Sequence, residues 1–440
     1  MTLADRIRAV VRHPSPAVDG LQPPPSHPSP RDLSALGGEW HDEVFVVERR
    51  YDRAARHGRE TVGAIADRIV QSAPYAAWFS GLGPGGGDGA NVDGPFVFFD
   101  LETTGLNGGA GTHVFLVGCA TFDVDGSLCV RQFVLTNPAG EKPMLAGVRS
   151  ALSPARALVS FNGKSFDAPL LETRYLFHRL AWDRARVPHL DVLHAARRFW
   201  GLDDCSLVSL ERHVVGARRV GDVPGIEIPR RYFQFLRTGD ARPLQAVLEH
   251  NRLDLLTLAA LASRLLHLAR VGPAEARSAR EALALGHLLA RAGLEPQARE
   301  AFERSLALCA APAGAYDATR IDALRALAHA WRRARQFERA AERWTELLQM
   351  RGCPAAAARE ATQALAIHHE HRLRDLASAR TFALRGLDED LTPAAPAIAS
   401  WTRAVRHRLE RIERKLTGGA ASAARSAAGG LASEPPSLLS

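Results

Sequence analysis

Two carboxylates close one of the most apolar runs of the sequence. Asp100 and Glu102 end the run FVFFDLE, whose large apolar residues predict a buried β-strand. Alternate residues of a strand point to the same face, so both carboxylates project together from its carboxyl end, where open α/β sheets place their ligands. Thr103, Thr104 and Gly105 follow and offer hydroxyls and accessible backbone N–H groups. An Asp-x-Glu pair at a strand end is common, so a metal site there requires further acids.

A second acid comes from the segment ALVSFNGKSFDAPLLETRYLFHRL (157–180), which predicts a strand, an Asn-Gly turn and a helix. Asp167 falls in the first turn of that helix, where Pro169 is tolerated because early helical N–H groups have no intrahelical partner. A carboxylate there also stabilises the helix dipole, by about 0.3–1 kcal/mol. The dipole explains the acid but not the Asn-Gly turn that precedes it.

A third segment, EHNRLDLLTL, lies within residues 244–269, where apolar residues recur at three- and four-residue steps and predict one long helix. His250 and Asp254 are four residues apart and therefore share one face of it. The surrounding leucines predict that this helix packs on the sheet. Taken alone, His250 fits a buried core histidine better than a functional one.

The four acids Asp100, Glu102, Asp167 and Asp254, with His250 beside them, make a set of hard oxygen ligands suited to Mg²⁺ or Mn²⁺. Without a cation, their mutual repulsion raises one or more of their pKa values. Two ions about 3.5–4 Å apart would share Asp100 and clamp a phosphodiester. One ion would activate the attacking water and the other would stabilise the leaving 3′ oxygen, while His250 could take the proton of that water.

The segments FFDLETTGL, SFNGKSFDAPLL and HNRLDLLTL resemble, in order, the three motifs of the DEDD (DnaQ-type) group of RNase H-like 3′–5′ exonucleases. The match is closest to the YprB-like branch, of which HLDVLH (189–194) and GDVPGIEIPRRYFQFLRTGD (221–240) also look typical. The resemblance covers residues 42–270 and, more loosely, the region after them. It implies an α/β fold with an RNase H-like mixed sheet flanked by helices, followed by an all-α domain of tetratricopeptide-like helical repeats.

The resemblance also implies roles for the acids. Asp100, Glu102 and Asp254 would bind the catalytic metal, with Asp100 bridging to a second ion that Asp167 reaches directly or through water. His250 lies four residues before Asp254, whereas the histidine subgroup usually has five, and the four-residue spacing usually carries tyrosine. His250 is therefore expected either to act as the general base or only to orient the water.

Substrate contacts are predicted around the same motifs. By the resemblance, Thr104 and Leu106 would contact the terminal nucleotide. The other candidates for substrate binding are Thr103, Gly105 and Asn162. Asp191, at the end of HLD, is an additional acid that we interpret as structural or as support for the site.

A repeat follows in the alanine-rich region. LARAGLEPQAREAFERSL (289–306) aligns with WRRARQFERAAERWTELL (331–348), and LRDLASARTFALRGL (373–387) is a looser third copy. A small residue followed four positions later by an aromatic one lets paired helices approach closely and then fills the gap. The pattern resembles tetratricopeptide repeats, with a period longer than their usual length of about 34 residues. An ordinary helical bundle is the alternative.

Composition divides the chain into five regions. We predict a disordered, proline-rich N-terminal segment at 1–41, an N-terminal extension with a glycine-rich linker at 42–94, and the exonuclease domain at 95–270. Helical repeats at 274–416 and a disordered tail at 417–440 complete the chain.

The composition narrows the class of protein. With 46% hydrophobic and 24% charged residues, most of the 440-residue chain can fold, and no apolar run reaches the roughly 18–20 residues that span a bilayer. We expect a cytoplasmic protein without a membrane partner. The five cysteines include no CxxC pair, which argues against a zinc knuckle or a disulfide framework.

A net charge of +8 permits binding to nucleic acid. Nearly all basic residues are arginine, however, and such a bias also follows from a GC-rich genome. The segments RRYDRAARHGR (49–59) and RRYFQFLR (230–237) could hold phosphates, with Tyr232 and Phe233 available either to stack on bases or to fill the core.

These observations predict a metal-dependent 3′–5′ exonuclease that hydrolyses phosphodiester bonds, with DNA favoured over RNA and a role in DNA repair or processing. An RNA exonuclease of the same fold and a catalytically lapsed nucleic-acid-binding scaffold are the alternatives. The presence of all four acids argues against the scaffold. The repeats are expected to dock a protein partner, for which a helicase that supplies single strands is the candidate.

Overall fold

The structure is a computed structural model and describes residues 31–80, 94–105, 112–182, 187–310, 315–387 and 396–430. The predicted glycine-rich linker before residue 94 and the candidate Leu106 lie outside these ranges, as do residues 1–30 and 431–440.

Nine β-strands are formed in the described N-terminal half. They are β1 (Glu39–His41), β2 (Val44–Tyr51), β3 (Arg56–His57), β4 (Glu60–Thr61), β5 (Phe96–Thr103), β6 (Val114–Phe122), β7 (Leu128–Val134), β8 (Ala157–Ser160) and β9 (His189–Asp191).

Seven of these strands form one mixed sheet in the order β1-β2-β7-β6-β5-β8-β9, and β3 pairs with β4 in a separate hairpin. Central strand β5 is antiparallel to β6 and parallel to β8, which is in turn parallel to β9. The predicted RNase H-like mixed sheet with helices is confirmed.

The N-terminal extension completes this sheet. Strand β2 pairs antiparallel with β7 along Phe45–Tyr51. Residues 31–41, which we expected to be disordered, instead contain a 3₁₀ turn at Ser34–Leu36 and strand β1. They are ordered because Leu33 and Leu36 are buried in the core beside the sheet.

Eight α-helices surround the sheet. They are α1 (Val62–Ser72), α2 (Ala76–Ser80), α3 (Glu141–Leu152), α4 (Asp167–Phe177), α5 (Val192–Phe199), α6 (Leu207–Leu210), α7 (Ile228–Thr238) and α8 (Arg242–Val271). A π-helical turn, Glu211–Val215, follows α6 directly, and short 3₁₀ turns lie at Ala73–Tyr75, Pro138–Gly140, Gly225–Glu227 and Pro273–Glu275.

The sheet separates two cores, as the alternation along β5 requires. Phe96 and Phe98 pack in one core with α1, whereas Val97 and Phe99 pack in the other with α3, α4 and α7. The long helix α8 contributes to both cores. Its residues Leu244–Leu248 belong to the second and its residues from Leu255 onward to the first, and the polar HNRLD segment lies between the two sets.

The rest of the chain is a series of paired helices. They are α9 (Ala279–Arg291), α10 (Glu295–Leu308), α11 (Ala318–Arg333), α12 (Phe337–Leu348), α13 (Ala355–His368), α14 (Leu376–Leu387) and α15 (Pro396–Gly430), with a π-helical turn at His369–Leu373. This confirms the all-α region.

The repeated small and aromatic residues pack as the sequence pattern predicts. Ala298, Ala340 and Ala379 are buried at equivalent places in α10, α12 and α14, and Phe302 and Trp344 are buried one turn later. Assignment of these pairs as tetratricopeptide-like stays a prediction.

Helix α15 continues through residue 430, although we expected a disordered tail from residue 417. The segment AASAARSAA is rich in alanine, which has the highest helix propensity, so the helix is extended rather than ended there. In the described part of the chain, no helix combines the length and the apolar character that a membrane crossing requires.

Candidate metal centre

Strand β5 brings Asp100 and Glu102 to one site. The register between β5 and β6 shifts between Glu102 and Thr103, so the regular ladder ends directly after the acids. Burial, together with the charges of neighbouring carboxylates, raises the pKa of Asp100 and of Glu102 well above the usual range. Both acids lie in an environment that disfavours their ionised form unless a cation is bound.

Helix α8 supplies the facing side of the site. One ligand atom each from Glu102, His250 and Asp254 lies within 4.8 Å of the other two. Burial raises the pKa of Asp254, against the opposing effects of Arg219 and His250. Two sequence segments about 150 residues apart therefore meet in one cluster that could hold a metal ion.

Asp167 is the first residue of α4 and so lies in its first turn, as the sequence predicts. Burial and the charge of Asp191 raise the pKa of Asp167 to about 7. The charge of Asp167 in turn raises the pKa of both Asp100 and Glu102. The structure thus brings Glu102, His250 and Asp254 together, with Asp100 on the same strand as Glu102 and Asp167 near enough for its charge to act on both.

The donor set fits a hard divalent cation. Its carboxylate oxygens come from four acids that repel one another, and the described residues place a cationic side chain, Arg219, against only one of the four, Asp254. Glu102 and Asp254 would hold such an ion with Asp100, while His250 contributes the one nitrogen of the cluster.

Arg219 is a site residue that the sequence did not reveal. Its guanidinium donates from Nη2 to Asp254 Oδ1 at 2.5 Å and to Glu211 Oε2 at 2.8 Å, and from Nη1 to Asp222 Oδ2 at 3.2 Å. The Arg219 side chain is only 3% exposed and that of Glu211 only 2%. Glu211 opens the π-helical turn, a local irregularity that often occurs at functional sites.

Asp222 is a second such residue. Its Oδ1 lies 2.7 Å from Nδ1 of His250, whose Nε2 is 3.4 Å from Asp254 Oδ2. Burial of Asp222 is outweighed by the hydrogen bond and charge of His250 and by Arg219, which lower the Asp222 pKa. Because an ionised carboxylate only accepts hydrogen bonds, Asp222 assigns the proton of a neutral imidazole to Nδ1 and leaves Nε2 as an acceptor.

A buried amide orients Asp100. Asn251 is fully buried and donates from Nδ2 to Asp100 Oδ2 at 2.9 Å, while its Oδ1 accepts from Gln132 Nε2 at 2.9 Å. Gly118 on β6 leaves room for this contact, since a Cβ atom there would lie 2.1 Å from Asn251 Oδ1. A glycine in the middle of a buried strand thus lets α8 approach the sheet.

Asp191 supports the turn that leads to Asp167. Its carboxylate accepts backbone N–H groups of Asn162 at 2.9 Å, Lys164 at 3.1 Å and Leu193 at 3.1 Å. Asn162 adopts a left-handed φ of 64°, which asparagine tolerates better than most residues. These contacts agree with the interpretation of Asp191 as a structural acid that supports the site.

The predicted substrate-binding residues lie beside the acids. Thr103 donates its hydroxyl to the Gly105 carbonyl at 2.9 Å, and Thr104 Oγ1 accepts the His113 N–H at 2.9 Å. Their contact with a nucleotide stays a prediction. Tyr232 is buried and stacks on Phe115 with ring centroids 4.1 Å apart, so it belongs to the core and is not available for bases.

Weak signals for the missed residues are present in the sequence. Asn251 directly follows His250, and Asp222 lies in GDVPGIEIPRR, a segment typical of the resembled branch. Gly118 interrupts an apolar run. Arg219 and Glu211 are common residue types in a chain rich in both charges, and their pairing depends on a loop path that no periodicity predicts.

Comparisons with known proteins agree with the fold. A model of the RNase H superfamily matches residues 97–266. Over 331 residues, 73% of this chain and 75% of the relative, the chain is 32% identical to a protein of Bacillus subtilis (strain 168) named "Uncharacterized protein YprB". The DEDD class stays a prediction. The chain belongs to the family of YprB and carries an RNase H superfamily domain.

Proposed function

We propose that this protein is a divalent-metal-dependent nuclease, a 3′–5′ exonuclease that acts on DNA. The observation that carries the proposal is the convergence of four partly buried carboxylates whose pKa values are all raised. Four carboxylates that repel one another destabilise the folded protein when no cation neutralises them. A divalent cation removes this repulsion and can also bind a phosphodiester.

Each acid has a role in this proposal. Asp100, Glu102 and Asp254 hold the metal, and Asp167 joins them from the start of α4. Bound Mg²⁺ or Mn²⁺ would supply Lewis-acid stabilisation of the charge that develops on the phosphoryl and leaving oxygens. Asn251 keeps the Asp100 carboxylate in one orientation, and Arg219 does the same for Asp254.

His250 is the proton acceptor for the attacking water in this mechanism. Its Nδ1 is held by Asp222 at 2.7 Å, so the neutral ring presents the lone pair of Nε2 toward the acids. The hydrogen bond that His250 Nδ1–H donates to Asp222 also stabilises the imidazolium that forms when the proton arrives. The tyrosine-like spacing is thereby compatible with a histidine in the basic role.

DNA is the favoured substrate, and an RNA strand is the alternative that the same geometry accommodates, because discrimination depends on contacts to the 2′ position. The paired helices would act as a tetratricopeptide-like docking arm for a protein such as a helicase. A scaffold without catalysis is disfavoured, since nothing would retain four mutually repelling acids.

The decisive experiment is time-resolved digestion of a 5′-labelled oligonucleotide, as single-stranded DNA, duplex DNA and RNA, with Mg²⁺, with Mn²⁺ and with chelator. A descending ladder that depends on metal is expected from the native protein and not from Asp100→Asn or Asp254→Asn. Glu43→Gln, which changes an exposed acid in the β1–β2 turn, is the matched control and should retain activity. If the native protein and the site variants are equally inert on all substrates, the proposal is wrong.

A further inference from the structure

Two adjoining concavities run from the turn before Asp167 toward the helical region. The first, of about 650 Å³, begins at Phe161 and Asn162 and passes Arg197 to Arg280. The second, of about 880 Å³, lies between α2, α5, α9 and α11 and also includes Arg280. Since Arg280 lines both, they form one groove, which we call the junction groove.

The junction groove starts at the turn that precedes Asp167. Asn162 belongs to the turn that leads into α4, and a Cβ atom on the next residue, Gly163, would lie 2.9 Å from Asp167 Oδ2. A chain whose end is held by the acids therefore meets this turn first and the groove next.

Four arginines provide the groove with guanidinium groups. Arg197, Arg198, Arg280 and Arg291 are exposed, and within the described residues none of them forms an ion pair. Other arginines of the helical region are paired, such as Arg333 with Glu295 and Arg343 with Glu346.

The arginines are also held close together. Arg280 donates to the Arg197 carbonyl at 3.3 Å and lies over Gly201, where a Cβ atom would be 1.9 Å from its Nε. Burial and the charge of Arg198 lower the pKa of Arg291, which places these two like charges near each other. Guanidinium groups that cluster without forming ion pairs in the described structure match the phosphates of a nucleic acid strand, which accept their paired N–H groups.

The groove also has aromatic surface. Trp78 and Phe79 of α2 line it and are only partly buried, and Phe199 packs against Phe79 with ring centroids 5.9 Å apart. Proteins that bind single strands usually combine a row of cationic side chains with aromatic side chains, and the unpaired bases stack on the aromatic rings. Asp203, Asp204 and Asp322 line the groove as well, without pairing with its arginines in the described structure.

We propose that the junction groove binds the single-stranded nucleic acid that continues from the residue held at the acidic site. This inference rests on the proposed nuclease function and deepens it. It assigns the backbone contacts to Arg197, Arg198, Arg280 and Arg291 and the base contacts to Trp78 and Phe79. The first helical pair is then part of the substrate site and not only a docking arm.

The test is binding of a long fluorescein-labelled single-stranded DNA to the full chain carrying Asp100→Asn, measured by anisotropy over a series of salt concentrations. Adding Arg198→Gln and Arg291→Gln should weaken binding about tenfold and reduce the salt slope by about 1.4, since each single-strand phosphate contact contributes about 0.7. Arg403→Gln with Arg406→Gln, two exposed arginines of α15, is the matched control and should change neither quantity.

Trp78→Leu separates stacking from charge. It should weaken binding about tenfold and leave the salt slope unchanged, because stacking releases no counterions. Trp40→Leu, at an exposed tryptophan of β1, is its control. Unchanged affinity in the Arg198/Arg291 variant, or an equal loss in the Arg403/Arg406 control, overturns the proposal.

Failure of the groove proposal can be distinguished from failure of the nuclease proposal. Strand binding is measured in the Asp100→Asn protein and does not depend on cleavage. With Asp100 intact, the Arg198/Arg291 variant should lose more of its cleavage rate on a long strand than on a dinucleotide, which is too short to reach the groove. If the native protein cleaves neither but the groove variants lose binding, the nuclease function fails and the groove assignment stands.

Discussion

Arg219 Nη2 lies 2.5 Å from Asp254 Oδ1, so a buried guanidinium is bound to one oxygen of a candidate metal ligand. The same guanidinium contacts Glu211 Oε2, which also accepts the hydroxyl of Thr257 at 2.5 Å. His57, on β3, completes this chain by a 2.8 Å contact between its Nε2 and Thr257 Oγ1. The orientation of Asp254 is therefore determined by residues from the N-terminal hairpin, the π-helical turn and α8 together.

We expect Arg219→Gln to lower the free energy of unfolding by about 3–5 kcal/mol, because it leaves the buried carboxylate of Glu211 without its cation. Urea denaturation measures this loss. The double variant Glu211→Gln/Arg219→Gln should recover much of it, since the charge left unpaired is then removed. Arg218→Gln, at the exposed neighbouring arginine, is the control, and an equal effect of both single variants would contradict the prediction.

Replacing Asp100 with asparagine should stabilise the metal-free protein while abolishing activity. The substitution removes one of several repelling charges and keeps an oxygen that can accept from Asn251. An increase of about 1–2 kcal/mol in the free energy of unfolding is expected. The rise in melting temperature that Mn²⁺ gives the native protein should be much smaller in the variant. A variant that is destabilised and still shifted fully by Mn²⁺ would show that Asp100 is not a metal ligand.

The stability of the metal-free protein should fall as pH rises from about 4 to 7. Asp167 has a raised pKa of about 7 in the folded protein, against an ordinary value of 3.8, so in this window the folded chain holds a proton that the unfolded chain has released. Stability then decreases by up to about 1.4 kcal/mol per pH unit for this proton. Unfolding experiments in chelator measure the slope, which Asp167→Asn should reduce. A slope that is equal in native and variant proteins would contradict the assignment.

Gly118→Ala should disturb the site through Asn251. The new methyl group would lie 2.1 Å from Asn251 Oδ1 and 2.8 Å from a Leu255 methyl, so α8 must shift away from β6. We expect a loss of about 1–3 kcal/mol in stability, with reduced Mn²⁺ affinity in calorimetry because Asp100 loses its orienting amide. Gly225→Ala is the control, since nothing lies within 4 Å of the added atom. Native-like metal affinity in Gly118→Ala would disprove the supporting role of Asn251.

His250→Gln should lower the nuclease rate by about 10²–10⁴-fold if His250 accepts the proton of the attacking water. Asp222→Asn should have a smaller effect on the rate, because Asp222 acts through His250. It should displace the acid limb of the pH profile of the cleavage rate, since a general base must be deprotonated to act. Single-turnover cleavage at saturating metal measures both, with Glu43→Gln as a control at an exposed acid of the β1–β2 turn. Loss of Mn²⁺ binding in His250→Gln equal to that in Asp254→Asn would instead identify His250 as a metal ligand.

The parts of this protein that depend on local pattern could be predicted from sequence. Apolar runs indicated β5 and β8, and the three- and four-residue steps indicated α8, because burial of one face imposes a period on the chain. Asp100, Glu102 and Asp167 could be selected because they end or open such an element, and His250 and Asp254 because their spacing puts them on one face of a helix. The small and aromatic pairs of the helical region could be recognised for the same reason.

Other features were decided by the tertiary structure alone. Residues 31–41 are ordered because the sheet offers them a partner edge and a core, which their own proline-rich context does not indicate. Arg219 and Asp222 reach Asp254 and His250 only through the path of the loop after the π-helical turn. Gly118 is important only because Asn251 approaches it from a helix more than a hundred residues later in the chain. A sequence carries periodicity and residue chemistry directly, whereas contacts between distant segments arise from packing, and it is packing that sets the orientation of the acids.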